Sequence, residues 1–276
     1  MQRSNYEFNR ANDMSRKNAF LIHFCLSFLI VSTCFLIIFV VWYPGYYFRV
    51  FAATEVLKVL ISVDLVMGPL LTLILFRPGK PGLRFDLSVV ATLQLCALIY
   101  GLHVIYQQRP YFTVFAIDRF EVLARQDVDI ERVDPTLLSS KSWHEPVLVV
   151  AEMPQDSGER SRLLEETIFE DKPDIQYRPE LWQPYLDATA EIFSKARPVA
   201  ELGDKSPRAR IEINRLIKNS SSGDRLVYLP IMGKQDVYAL ILNPDTKLPI
   251  GLINQDPWEA ASDSALAAKQ AADFPG

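Results

Sequence analysis

Cysteine is scarce in this chain and histidine equally so, with three of each in 276 residues. Cys25, Cys34 and Cys96 all fall inside long apolar runs, where a free thiol behaves as a small hydrophobe. Cys25 and Cys34 stand too far apart on one expected helix to bridge, and the charge-rich remainder has no cysteine at all, so a disulfide framework is excluded there. An excess of positive charge is also missing: 29 Lys and Arg against 33 Asp and Glu leave a net charge of -4. Nucleic acid is therefore not an expected partner. Catalytic signatures are absent too, with no H-E-x-x-H, Walker or G-x-S-x-G pattern. After Arg109 there is no cysteine and a single histidine, His144, beside Trp143 and near Pro146, which suits a structural or surface role. Ser139, Ser140 and Lys141 do not form a Ser-x-x-Lys arrangement. Asp127, Asp129 and Glu131 alternate like the opening of a calcium loop, but Arg132 stands where that loop needs Gly and Leu138 where it needs Glu. No catalytic residue, cofactor or metal is expected.

What the chain has in quantity is apolar sequence, gathered at one end. Up to about Tyr106 apolar runs dominate; from Arg109 onward the chain is mixed and charge-rich. The organising stretch is Val59 to Leu87, VLISVDLVMGPLLTLILFRPGKPGLRFDL. Its apolar part is long enough to cross a bilayer, which takes roughly 20 residues of helix, and is interrupted only by Asp64 and the pair Gly68 and Pro69. An acid there costs about 2.5–3.5 kcal/mol on insertion scales, so it should face protein, water or a partner rather than lipid. Pro69 also deprives the Leu65 carbonyl of its helical donor. Asp64, Gly68 and Pro69 together form a candidate contact surface for another helix.

Two further spans are expected, Ala19 to Trp42 and Leu87 to Tyr106. The first is longer than a signal-peptide core and lacks an A-x-A cleavage pattern, so it reads as a retained anchor. Trp42, Tyr43, Tyr46, Tyr47 and Phe48 then form an aromatic belt at the interface. Glu55 and Lys58, three apart, form an interfacial ion pair at the start of the second span. The turn after it carries Arg77, Lys80 and Arg84 on the same side as Arg3, Arg10, Arg16 and Lys17, whereas the first loop offers only Arg49. By the positive-inside rule the amino terminus is cytoplasmic and everything after Arg109 lies outside, in a Gram-negative cell the periplasm.

The expected organisation is a cytoplasmic segment (1–18), a three-helix transmembrane domain (19–107), a periplasmic α+β domain with an antiparallel sheet (108–258) and a flexible tail (259–276). In the α+β part, strands are expected over Thr113 to Ile117 and Pro146 to Ala151, the first continuing into a short helix in DRFEVLA. Helices are expected in ERSRLLEETIFE, PELWQPYLDATAEIFSKA and PRARIEINRLIKN. A three-stranded antiparallel meander closes the domain over Arg225 to Ile231, Asp236 to Leu242 and Pro249 to Ile253.

Taken together, KNAFLIHF, FVVWYPG, ISVDLVMGPLLTLILF, RPGKPGLRFDLSVVATLQLCALIYG and YFTVFAIDRFEVL make the chain resemble the type IV pilin accessory proteins of the TfpX/TfpZ (FimB-like) family, over roughly Lys17 to Leu123. The resemblance implies a multi-pass protein of the bacterial inner membrane, not an enzyme, that binds the type IV major pilin and supports its stability, assembly or surface display. Membrane lipid and other pilus-assembly proteins are further expected partners. Within that picture His23, placed near the cytoplasmic leaflet, joins Asp64, Gly68 and Pro69 as a candidate contact to the pilin helix. Two other readings compete: a pilin-modifying enzyme, and a proton- or ion-coupled component built on His23, Asp64, Gln94 and His103.

Overall fold

The computed structural model describes residues 14–50, 54–139, 141–142, 145–220, 222–234 and 236–259, with the backbone alone for 54–56. The expectations for Arg3 and Arg10, the Glu55 side chain, His144 and residues 260–276 lie outside the described residues. The contacts divide the chain into two units, one of Met1–Trp42 with Ala53–Gln107, the other of Tyr43–Ala52 with Gln108–Gly276.

The first unit is helical. Helix α1 (Arg16–Ile37) starts at Ser15, whose hydroxyl accepts the Asn18 amide at 3.2 Å, and continues as a π-helical stretch Ile38–Trp42. In the second unit a short helix α2 (Tyr47–Val50) follows Gly45, which has φ +61°. The second long helix of the first unit is built from α3 (Thr54–Ile61), a π-helical stretch Ser62–Met67 and α4 (Gly68–Leu75). Pro69 accounts for the widened turn: its ring would strike the carbonyl four residues back in a regular helix, and the backbone escapes by letting the Gly68 amide bond to Val63 O, five residues back. Helix α5 (Leu83–Gln107) follows a turn with left-handed Gly79 and Gly82. Arg16–Trp42, Leu57–Leu75 and Leu83–Gln107 are each long and apolar enough to cross a bilayer. They bury a narrow seam of Val31, Leu60 and Leu98 and leave side chains such as Leu29, Ile74 and Leu93 about two-thirds exposed. The hydroxyls of Thr33, Ser62 and Ser88 bond to carbonyls one turn back, so they add no unmet polar group.

The second unit is built on one eight-stranded sheet. Its strands are β1 (Pro110–Ala116), β2 (Arg119–Ala124), β3 (Val147–Ala151), β4 (Trp182–Pro184), β5 (Arg197–Pro198), β6 (Val227–Met232), β7 (Val237–Leu242) and β8 (Pro249–Ile253). The order is β4-β3-β1-β2-β6-β7-β8, with β5 alongside β6. The helices are α6 (Pro135–Ser139), α7 (Ser157–Phe169), α8 (Thr189–Lys195), α9 (Ala200–Lys205) and α10 (Pro207–Asn219).

The meander is present as β6-β7-β8, antiparallel throughout. The sheet as a whole is mixed, which corrects the antiparallel expectation: β1 pairs parallel with β3, and β2 parallel with β6. Both pairings are made by long crossovers, and local patterning carries no trace of them. The segment expected to be a helix after β1 is strand β2, turned back by Ile117 and Asp118. The long helix expected over PELWQPYLDATAEIFSKA is interrupted, leaving edge strand β4 and the short α8; Pro184, inside that stretch, has no amide to donate to the turn before it.

Strand β1 is buried on both faces. Phe112, Val114 and Ala116 join Val149, Ala151 and Trp182 on one side. On the other side Tyr47 Oη lies 3.0 Å from Thr113 Oγ1, and both residues are buried. Tyr43, Tyr47 and Val50 are 1%, 7% and 1% exposed, and Tyr47, held to Thr113, is a core residue of the sheet unit rather than a member of an interfacial belt. Burial pushes the phenols of Tyr43, Tyr46 and Tyr47 above their ordinary value. The Lys234 amide donates to Val50 O at 3.1 Å, and Tyr238 Oη to Arg49 O at 3.4 Å. The link between the first two long helices is thus a built-in part of the sheet unit.

A candidate helix-docking site

In the helical unit the polar residues converge around the widened turn. The π-helical stretch rotates Asp64 inward to 5% exposure. Gln94, from α5, donates its Nε2 to Asp64 Oδ1 and to Asp64 O, each at 3.4 Å. Gly68 makes this approach possible, since a Cβ there would lie 1.9 Å from Gln94 Nε2. Gly68 and Pro69 are themselves buried. They shape the site from beneath: one gives room to Gln94, the other sets the turn that carries Asp64.

The cluster is incompletely satisfied. Among the described residues Asp64 Oδ2 and Gln94 Oε1 are buried with no hydrogen-bond partner. Both are acceptors. Asp64 also lines a groove of about 470 Å³ between the second and third long helices, walled by Val59, Val63, Ala97, Tyr100, Gly101 and Val104. Its surface is almost wholly apolar apart from the acid. Leaving a buried polar atom unpaired costs about 1–3 kcal/mol, so the cluster behind the groove wall has an unmet demand for a donor, and Asp64 is its member that lines the groove.

The other sequence-derived candidates are placed differently. His23 Nδ1 lies 2.5 Å from Thr72 Oγ1, so its side chain has a partner within the unit. His103 is exposed and takes no part in the cluster. Arg77, in the turn between α4 and α5, and Arg84, in the first turn of α5, are exposed, and Lys80 of the turn pairs with Asp86 of α5. Sequence reasoning grouped Asp64 and Gln94 only with His23 and His103, as a proton- or ion-coupled set, and it missed Thr72 and the Ala97 and Gly101 pair. The spacing of four between two small residues was the available signal for that pair.

The sheet unit holds a smaller cavity of about 240 Å³, floored by Glu121 and Arg178. Arg178 is fully engaged: Nη1 donates to Glu166 at 2.9 Å, Nη2 to Thr167 and Nε to Pro173 O. Burial pushes the Glu121 carboxyl up despite the bond from Gln176. Among the described residues no group of three His, Cys, Asp or Glu is placed to hold a metal ion.

A family model described as "Fimbrial assembly protein FimB" matches residues 13–51. The chain is 31% identical over 185 residues to "Fimbrial assembly protein, serogroup I" of Dichelobacter nodosus, covering 65% of this chain and 71% of that relative. It is 31% identical over 186 residues to the serogroup E1 protein of the same organism, with the same coverage. Against the protein of serogroups C1 and C2 it is 34% identical over 114 residues, 41% of this chain and 87% of that relative. No solved structure matches.

Proposed function

Because this chain belongs to the FimB family of fimbrial assembly proteins, we propose that it is an inner-membrane accessory protein that binds a type IV pilin and supports its stability, assembly or display. The three long helices cross the bilayer with the amino terminus in the cytoplasm, and the sheet unit faces the periplasm. A pilin awaiting assembly offers a membrane helix and a periplasmic head; this chain offers a helical unit and a sheet unit to meet them. The helix contact is made beside Asp64, with Gly68 and Pro69 holding the geometry.

The observation that carries the reading is the buried Asp64 carboxylate, with one oxygen unpaired, in an open groove between apolar helices. The pairing of residues 43–50 with strands after Arg109 in one unit supports the topology, since both must then lie on one side of the bilayer. Role and contact are tested together. Deletion of the gene is followed by separate measurement of cellular pilin and surface pili: loss of pilin marks a stabilising role, and normal pilin with altered pili an assembly role. Photoreactive residues at Val59 and Tyr100, which are 64% and 72% exposed on the groove walls, capture pilin, while one at Leu29, 64% exposed on α1, does not. Pilin and pili both unchanged on deletion, or no pilin captured from either groove position, refutes the proposal.

A further inference from the structure

The groove beside Asp64 specifies more than an apolar neighbour. We infer that its occupant is a single transmembrane helix carrying one hydrogen-bond donor at the level of Asp64, seated against Ala97 and Gly101. This rests on the proposed helix-docking role and adds the chemistry by which the partner is selected.

Three observations meet here. The first is the pair of orphan atoms, Asp64 Oδ2 and Gln94 Oε1, which are both acceptors. Gln94 turns its amide protons toward Asp64, so both free positions of the ionised cluster are ones that a donor from outside would fill. The second is the shape of the wall. Ala97 and Gly101 stand one turn apart on α5, the small-xxx-small spacing that lets a neighbouring backbone come close.

The third is that this chain's own packing does not require Gly101 to be small. A Cβ there would meet only Leu60 Cδ1, at an ordinary 3.4 Å. Gly68 differs, because its missing Cβ is filled by Gln94. A lipid chain would fill an apolar groove but offers no donor at that depth, whereas a helix with a hydroxyl, amide or ammonium side chain answers both features.

The test uses the purified full-length protein in lipid bilayers and labelled host peptides, each a leucine-alanine transmembrane helix. Three differ only at the central residue: alanine, serine, or lysine as a group that can only donate. Association is read by energy transfer to the protein. The serine and lysine peptides should bind about three- to fifteen-fold more tightly than the alanine peptide, the range given by hydrogen bonds between membrane helices. The preference should vanish in Asp64→Leu. In Gly101→Leu all three peptides should weaken together.

Equal binding of the three peptides to the unaltered protein overturns the donor requirement yet leaves capture of pilin from the groove walls standing. A preference that survives Asp64→Leu overturns it as well, because the donor then acts elsewhere. Donor-selective binding without pilin capture supports the inference while removing pilin as the occupant. Correct folding of the helical unit in Asp64→Leu is checked by unchanged helix content and thermal unfolding of the full-length protein in the same bilayers.

Discussion

Substitution of Gly233 by alanine tests whether the link between the first two long helices is truly clamped by the sheet unit. A Cβ at Gly233 would lie 2.7 Å from Val50 O, 2.9 Å from Asp236 O and 3.2 Å from Tyr238 Cε2. Two of the three are backbone atoms, which no change of rotamer can move. Both carbonyls must retreat by roughly half an ångström to reach normal contact, at about 1–3 kcal/mol for an overpacked site. That retreat strains the bonds from Lys234 N to Val50 O at 3.1 Å and from Gly233 N to Asp236 O at 2.9 Å, each worth about 0.5–1.5 kcal/mol. The combined loss is about 2–6 kcal/mol, a fall in Tm of about 4–24 °C for a unit of this size. Gly251→Ala is the control, because its nearest neighbour is a terminal methyl of Leu216 at 3.2 Å that can turn aside; its loss should stay below about 1 kcal/mol. The assay is thermal unfolding of the full chain in detergent, with hydrogen exchange at residues 47–50 as the local readout. Equal stability of the two variants, with those amides still protected in Gly233→Ala, would refute the reasoning.

Gly68→Ala should drive the Gln94 carboxamide off Asp64, cutting pilin capture from position 100 while the sheet unit melts unchanged; capture at the original level would count against the cluster. Arg178 holds the Glu166 carboxyl below the usual carboxylate range. A depressed folded value gives stability that is complete above the ordinary pKa of about 4.3 and is lost as pH falls through the folded value. Glu166→Gln should therefore narrow the loss of stability between neutral and strongly acid pH, as measured by denaturant titration at several pH values. Ile117 has φ +61° at the β1–β2 turn, a conformation that strains a side chain branched at Cβ, so Ile117→Gly should raise stability by about 1 kcal/mol, seen as a higher denaturant midpoint. With Cys25, Cys34 and Cys96 replaced by alanine, Glu159→Cys should react with a membrane-impermeant thiol reagent in intact spheroplasts and Arg77→Cys only after lysis; the reverse pattern would invert the topology.

Much of this architecture could be read from local sequence. The three long apolar helices follow from run length alone. Helix α10 spans the expected Pro207–Asn219, and β8 the expected Pro249–Ile253, because each has a strong stripe or a Pro and turn signal at its borders. The β1–β2 hairpin was hidden since Ile117 and Asp118 carry none of the Asn-Gly or Gly chemistry that marks a two-residue turn. The parallel pairings are hidden for another reason: they depend on strands separated by long crossovers. Tyr47 misled because an amphipathic ring suits a headgroup layer and a buried core equally, and only Thr113, far along the chain, decides between the two. At the site, Asp64 was legible as an acid in an apolar run. Its bond to Gln94 needed the rotation set by the widened turn, which no spacing rule gives.

The clamp on residues 43–50 also sets an order of events during synthesis. Arg49 and Val50 leave the ribosome about 190 residues ahead of Tyr238, whose hydroxyl closes on the Arg49 carbonyl. At 5–20 residues per second this interval lasts roughly 10–40 s. Throughout it, the aromatic link waits without its lid, and a nascent chain halted before Gly233 would never acquire one.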